Sequence, residues 1–197
     1  MGRTLEAWSR RLKPAKGIPR LWLLSDPVRL PDPRAAAVRL PRGSGVLLRG
    51  AAPGLRCAMA RLARTRGLVL LVGGDGRAAL AARAGLHVPD RAGCTHHLPF
   101  LLARQRGMPW ARLSLAVHGR AAVARARRLG ADLGFVSPAF PTASHPGAPA
   151  LGPLRWAALA RSFGRPAIAL GGVSPIHAGR LPRRVAQGFA AIDALDV

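Results

Sequence analysis

The chain reads as an α/β protein, a single closed (β/α)8 barrel, and three observations predict this. First, eight short segments, at 21–25, 45–49, 68–73, 85–88, 112–117, 133–137, 167–171 and 188–193, are apolar almost throughout, as parallel strands buried on both faces should be. Second, Ala/Leu/Arg-rich stretches with helical spacing lie between most of them, the clearest at 55–66, 77–83, 120–129 and 154–163. Third, no GxGxxG or Walker loop follows the first strand, where an open nucleotide-binding sheet would carry one. An open doubly wound sheet shares the βα alternation, but the count of eight favours the barrel.

Taken in order, residues 1–20 form an N-terminal extension with one expected helix at 5–12, and residues 21–197 form the barrel. The extension helix should pack on the barrel's bottom or side through Trp8 and Leu12. The first crossover, 26–42, holds four prolines, so its helix is expected to be short. In the stretch 120–129, Ala121, Val123, Ala124, Ala126 and Leu129 suggest the apolar stripe. The last strand ends four residues before the end of the sequence, so the closing helix is expected to be missing or replaced by the N-terminal one.

Composition limits the function classes. The 197 residues, 49% hydrophobic, suffice for one sizeable core and not for two. No apolar run approaches the roughly 18 residues of a membrane span, and the N-terminus lacks a secretory apolar stretch, so a soluble cytoplasmic protein without membrane contact is expected. The formal charge is +23, from 31 Lys+Arg against 8 Asp+Glu, and only Lys13 and Lys16 are lysines. The arginines are scattered singly or in pairs and aromatics are 5%, which fits a solvated Arg-rich surface better than a nucleic-acid platform. Cys57 and Cys94 lack metal or disulfide spacing and are expected to be reduced, partly buried thiols.

In a barrel the functional groups gather where strands end at the C-terminal face. Those ends carry Ser25-Asp26, Arg49, Gly73-Gly74-Asp75, His87, Val117-His118, Ser137-Pro138, Gly171-Gly172 and Asp193. His87, inside its strand, is expected to be structural, and His96-His97 to cap a helix or face solvent. The loop from Ser137 to Gly152, with Thr142, Ser144 and His145 among stiffening prolines, has the length and polarity of a lid. The Gly171-Gly172 pair lets backbone N–H groups approach an anion.

The segments Gly130-Ala131-Asp132, Ser137-Pro138-Ala139-Phe140-Pro141-Thr142, Pro149-Ala150-Leu151-Gly152 and Ala169-Leu170-Gly171-Gly172-Val173 resemble the thiamine phosphate synthase/TenI family. Weaker matches at Leu21–Asp26, Val46–Arg49, Gly85–Val88 and Val117-His118 extend the resemblance in order along the barrel. It implies an enzyme of thiamine biosynthesis that couples hydroxymethylpyrimidine diphosphate to thiazole phosphate and releases pyrophosphate. A thiazole tautomerase or a catalytically weakened paralogue is the alternative within the family. A non-catalytic basic barrel binding phosphate or nucleic acid is the alternative outside it.

The resemblance implies His118 and Ser144 as catalytic residues. It implies Arg49, Thr142, Ser144, His145, Gly171 and Gly172 around phosphorylated small-molecule substrates, and Asp75 on Mg2+ if the transfer operates. The chain departs from the family at several of these places. Gly50-Ala51 follow Arg49 where the family has a lysine two residues on, Ser144 and His145 replace a Thr-Lys pair, Asp90 is the one candidate for a second metal-binding acid, and Asp193 stands near an expected serine.

Overall fold

The computed structural model describes residues 4–90, 95–142, 149–192 and 195. Eight parallel strands pair in sequence order and β8 returns to β1, closing the barrel. The strands are β1 (Leu21–Leu24), β2 (Gly45–Leu48), β3 (Val69–Gly73), β4 (Gly85–Val88), β5 (Leu113–Val117), β6 (Leu133–Val136), β7 (Ala167–Ala169) and β8 (Ala186–Ala191). The helices are α1 (Leu5–Ser9), α2 (Arg34–Arg39), α3 (Pro53–Arg66), α4 (Gly76–Ala82), α5 (His97–Gln105), α6 (Arg120–Arg128), α7 (Gly152–Phe163) and α8 (Pro175–Ala178). All eight expected strands form. The Pro-rich first crossover is reduced to the six residues of α2, as expected.

Alternation along each strand splits the core into two layers. Trp22, Leu24, Leu47, Leu71, Leu133, Phe135, Ile168 and Ala190 fill the lumen. Leu23, Val46, Leu48, Leu86, Leu115 and Val136 face outward, sharing a continuous core with Met59, Phe100, Trp156 and Phe163 of the helices. Trp22 is the lower plug. Its ring meets Phe135 edge-on at 5.2 Å, and its indole N–H donates to the Pro19 carbonyl at 2.9 Å. Gly45 lies opposite it in register, and a Cβ there would overlap the indole ring. Gly45→Ala should therefore cost about 1–3 kcal/mol by overpacking, read as a lower urea midpoint at unchanged slope.

α1 packs against α8, β1 and β8, covering the seam where the first and last strands meet. Leu5 and Leu12 are buried there, and Trp8 lies half-buried against Gly179 with the Arg11 guanidinium 5.0 Å from its ring. Among the described residues no helix follows β8. The helix ends at Ser9 rather than at 12, because the chain turns there before Pro14.

Two further sequence expectations need correction. On α6 the buried face is Ala122, Val123 and Ala126, while Ala121 and Ala124 are exposed. Alanine is small enough to sit on either face, so its position alone does not mark the core. Cys57 is exposed on α3 rather than partly buried, because Met59, Ala60 and Ala63 take the inward face. Cys94 lies outside the described residues.

Candidate functional site

The residues that bear the motif are knitted into one structure at the C-terminal mouth. Beyond β6 and β7 the chains continue to pair: Ala139 N–H donates to Leu170 O at 2.8 Å, and Phe140 N–H to Gly171 O at 3.0 Å. From the other end of the loop, Leu151 N–H donates to Pro138 O and Gly152 N–H to Ala139 O, each at 3.0 Å. Three segments distant in sequence thus share one hydrogen-bond network. Gly171 and Gly172 have φ of 85° and 61°, the left-handed region that favours glycine. A Cβ on Gly172 would overlap the Pro141 carbonyl, so the Phe140-Pro141 turn can lie across it only because the side chain is absent. Thr142, half-buried, comes next in the chain.

The carbonyls of the Gly171-Gly172 turn are occupied. Gly171 O accepts from Phe140, and Gly172 O accepts from Nδ1–H of His177 at 2.8 Å. The His177 ring stacks on Phe140 at 4.7 Å, holding the turn from outside. Among the described residues, the N–H groups of Gly171, Gly172 and Val173 have no acceptor. Successive amides in left-handed or turn conformation form a concave anion nest. Gly172→Ala should open the clamp and raise the Kd for inorganic phosphate or a phosphorylated ligand at least tenfold, measured by calorimetry.

On β5, Ser114, Ala116 and His118 alternate with outward-facing Leu113, Leu115 and Val117, so His118 stands at the mouth, where it is exposed. Its Nδ1 lies 2.9 Å from the Ser137 carbonyl, which can only accept. Ser137 Oγ lies 3.2 Å from the same nitrogen; the carbonyl is the closer partner, and the tautomer that satisfies it carries the proton on Nδ1 and, in the neutral ring, leaves the lone pair on Nε2. Below it, His87 is buried. Its Nδ1 lies 3.0 Å from Ser114 Oγ, and its ring meets Phe135 edge-on at 5.4 Å. Burial, reinforced by the positive charges of Arg49, His118 and Arg125, pushes the His87 pKa down to about 3. His87 is thus a neutral member of the lumen, in keeping with the structural role expected for it.

Arg49 extends from the end of β2 beside Gly73. Its Nε donates to Ser25 O at 2.7 Å, and Nη2 to Asp26 Oδ2 at 2.8 Å. Asp26 Oδ1 accepts from the N–H groups of Val28 and Arg29, and these bonds hold its carboxyl below the usual range. Much of the Arg49 fork is therefore spent within the protein, and Nη1 is the part left over for an anion. The role of Asp26 was invisible in the sequence, since only barrel closure sets the ends of β1 and β2 side by side.

Asp75 is the N-cap of α4: Oδ1 accepts from Arg77 N–H at 2.9 Å and Ala78 N–H at 3.2 Å, and His96 Nδ1 lies 3.5 Å away. Burial raises its pKa, and these hydrogen bonds outweigh that, leaving it below the ordinary value. His96 is the exposed residue preceding α5 and itself has a positive φ of 51°. Asp90 is tied to Arg125 at 3.2 Å. Among the described residues no trio of His, Cys, Asp or Glu stands ready for a metal. Among the described residues Asp75 Oδ2 accepts no hydrogen bond, which fits Mg2+ only where water and substrate phosphate supply the other ligands. Ser144, His145 and Asp193 lie outside the described residues. No helix among them is long and apolar enough to cross a membrane.

No curated protein sequence matches the chain. Solved structures do: thiamine phosphate pyrophosphorylase from Pyrococcus furiosus is similar with a TM-score of 0.67 at 20% identity, over 93% of this chain and 87% of that one. FabK from Thermotoga maritima follows at 0.63 and 16%, over 90% and 58%. The 2-keto-3-deoxy-6-phosphogluconate aldolase of Zymomonas mobilis gives 0.59 and 19%, over 97% and 86%. At such identities these likenesses establish the barrel and leave its chemistry open. The sequence itself goes further: residues 55–195, most of the chain and all of the knitted motif, match the thiamine monophosphate synthase family, and the chain belongs to that family.

Proposed function

We propose that this barrel is an enzyme of thiamine synthesis that seats thiazole phosphate at its mouth and couples it to hydroxymethylpyrimidine diphosphate. In that reaction the thiazole nitrogen forms a bond to the pyrimidine methylene carbon as the carbon–oxygen bond to diphosphate breaks, and pyrophosphate leaves. The observation that carries the reading is the run of three amides, without acceptors among the described residues, at Gly171–Val173, which would seat the thiazole phosphate beside Thr142. Arg49 at the end of β2 supplies positive charge toward the departing diphosphate, with Ser144 and His145 proposed to join it from the loop. Asp75 Oδ2 would hold Mg2+, whose charge neutralises that leaving group.

One observation favours a second reading. His118 has Nδ1–H anchored on a carbonyl, so a neutral Nε2 can take a proton from a bound thiazole and return it to another atom, the work of a tautomerase. The test is purified protein with pyrimidine diphosphate, thiazole phosphate and Mg2+, followed for thiamine phosphate and pyrophosphate. Equimolar appearance of both supports the coupling. In a parallel assay supplied with the thiazole phosphate tautomer alone, its isomerisation without thiamine phosphate synthesis in the first assay supports the second reading. Absence of both overturns the two together.

A further inference from the structure

We infer that the face of the barrel opposite the mouth is a docking track for single-stranded nucleic acid, held by its phosphates. The fold segregates charge in a way that the scattered arginines conceal. Among the described residues, Asp26, Asp32, Asp75 and Asp90 all follow C-terminal strand ends on the mouth side. The opposite face holds Glu6 and Asp132, and each is already in an ion pair, Glu6 with Arg10 and Asp132 with Arg104, both at 2.6 Å.

Two grooves cross this face. One, of about 400 Å³, runs between the segment before β1 and the turn before β2, and is lined by Lys16, Arg20 and Arg42 among others. The second, of about 530 Å³, runs under the turns before β5, β6 and β7 and is lined by Lys16, Arg112 and Arg165. Both include Ala15, Lys16 and Ile18, so they meet at that segment as one continuous track. None of these five cations makes an ion pair among the described residues. They are an uncompensated set on a concave surface, and guanidinium forks suit phosphate oxygens.

The size of the grooves selects the partner. A duplex is a stiff rod with a persistence length of about 150 base pairs and cannot fold itself into concavities of about 400 and 530 Å³, whereas a flexible single strand can enter them. Met108 is the one exposed large apolar residue lining the second groove, and no aromatic stacking platform accompanies it, so binding should be independent of sequence. An anionic membrane is the poorer fit, since the face presents no apolar helix to insert. This inference does not depend on the reading of the mouth.

The experiment is fluorescence anisotropy of a labelled 20-nucleotide oligo(U) across a salt series. Five phosphate contacts predict a slope of log K against log salt of about −3 to −4. The triple variant Lys16→Glu/Arg42→Glu/Arg112→Glu should weaken binding at least 50-fold. The charge-matched triple Arg61→Glu/Arg155→Glu/Arg161→Glu, on exposed flanks of α3 and α7, should change it less than threefold. The neutral triple Lys16→Gln/Arg42→Gln/Arg112→Gln, checked for folding by circular dichroism, should fall between them. Equal loss in the two charge-reversed triples would reduce the effect to diffuse net charge and overturn the track. So would tighter binding of a duplex of equal length, equal binding of anionic vesicles, or no binding at 150 mM salt.

Discussion

Replacing His118 by Ala should lower thiazole tautomerisation by about 10²–10⁴-fold, the usual contribution of a positioned acid–base group, while pyrimidine coupling falls less than tenfold. Asp75→Ala should do the reverse, cutting coupling and its response to added Mg2+ while sparing tautomerisation. The reason is geometric: with Nδ1–H on Ser137 O the His118 ring keeps its lone pair on Nε2, whereas Asp75 commits Oδ1 to capping α4 and leaves Oδ2 outside those bonds. His118→Asn provides the control, since its amide can still donate to the Ser137 carbonyl but has no basic nitrogen. Recovery of tautomerisation in His118→Asn would show that the ring only props the β6 end. Should His118→Ala and Asp75→Ala both leave every thiamine-related activity unchanged, both mechanisms fail.

Acidification should destabilise the fold well before its carboxylates protonate, and His87 is the reason. In the unfolded chain this imidazole binds a proton near its ordinary value of 6.5; in the fold it does so only near 3. Between those values the unfolded state takes up a proton that the native state refuses, so stability falls as pH falls, and above pH 7 the group contributes nothing. From pH 7 to pH 4 the loss is about 3 kcal/mol, seen as a drop in urea midpoint. Asp26 and Asp75, with lowered pKa values, add their losses mainly below pH 4 and do so in any variant. His87→Asn, which keeps a donor toward Ser114, should be less stable at pH 7 yet lose most of the pH 7-to-4 slope. An unchanged slope in His87→Asn would place the acid sensitivity elsewhere.

The strands, most of the helices and the Gly171-Gly172 turn were legible in the sequence, because each rests on short-range pattern. Four to six consecutive apolar residues make a strand buried on both faces, as at 133–137, and consecutive glycines announce left-handed backbone, as at Gly171-Gly172. The motif segments around Phe140, Leu151 and Gly171 stood out as residues, and only the fold revealed them hydrogen-bonded to one another. His118 was readable as a mouth residue because strand alternation fixes its side.

What the sequence by itself determined, then, is the barrel and the positions that reach its mouth, since both follow from local periodicity. Tertiary structure alone decided which charges meet. Arg49 is anchored by Ser25 and Asp26, Arg125 by Asp90, and Arg104 by Asp132, and each pairing joins residues 23 or more positions apart. It also gathered Lys16, Arg20, Arg42, Arg112 and Arg165, dispersed through the chain, onto one face. The physical reason is that every αβ turn of a closed parallel barrel falls on the same end. Cations spaced tens of residues apart therefore become neighbours only when β8 pairs with β1.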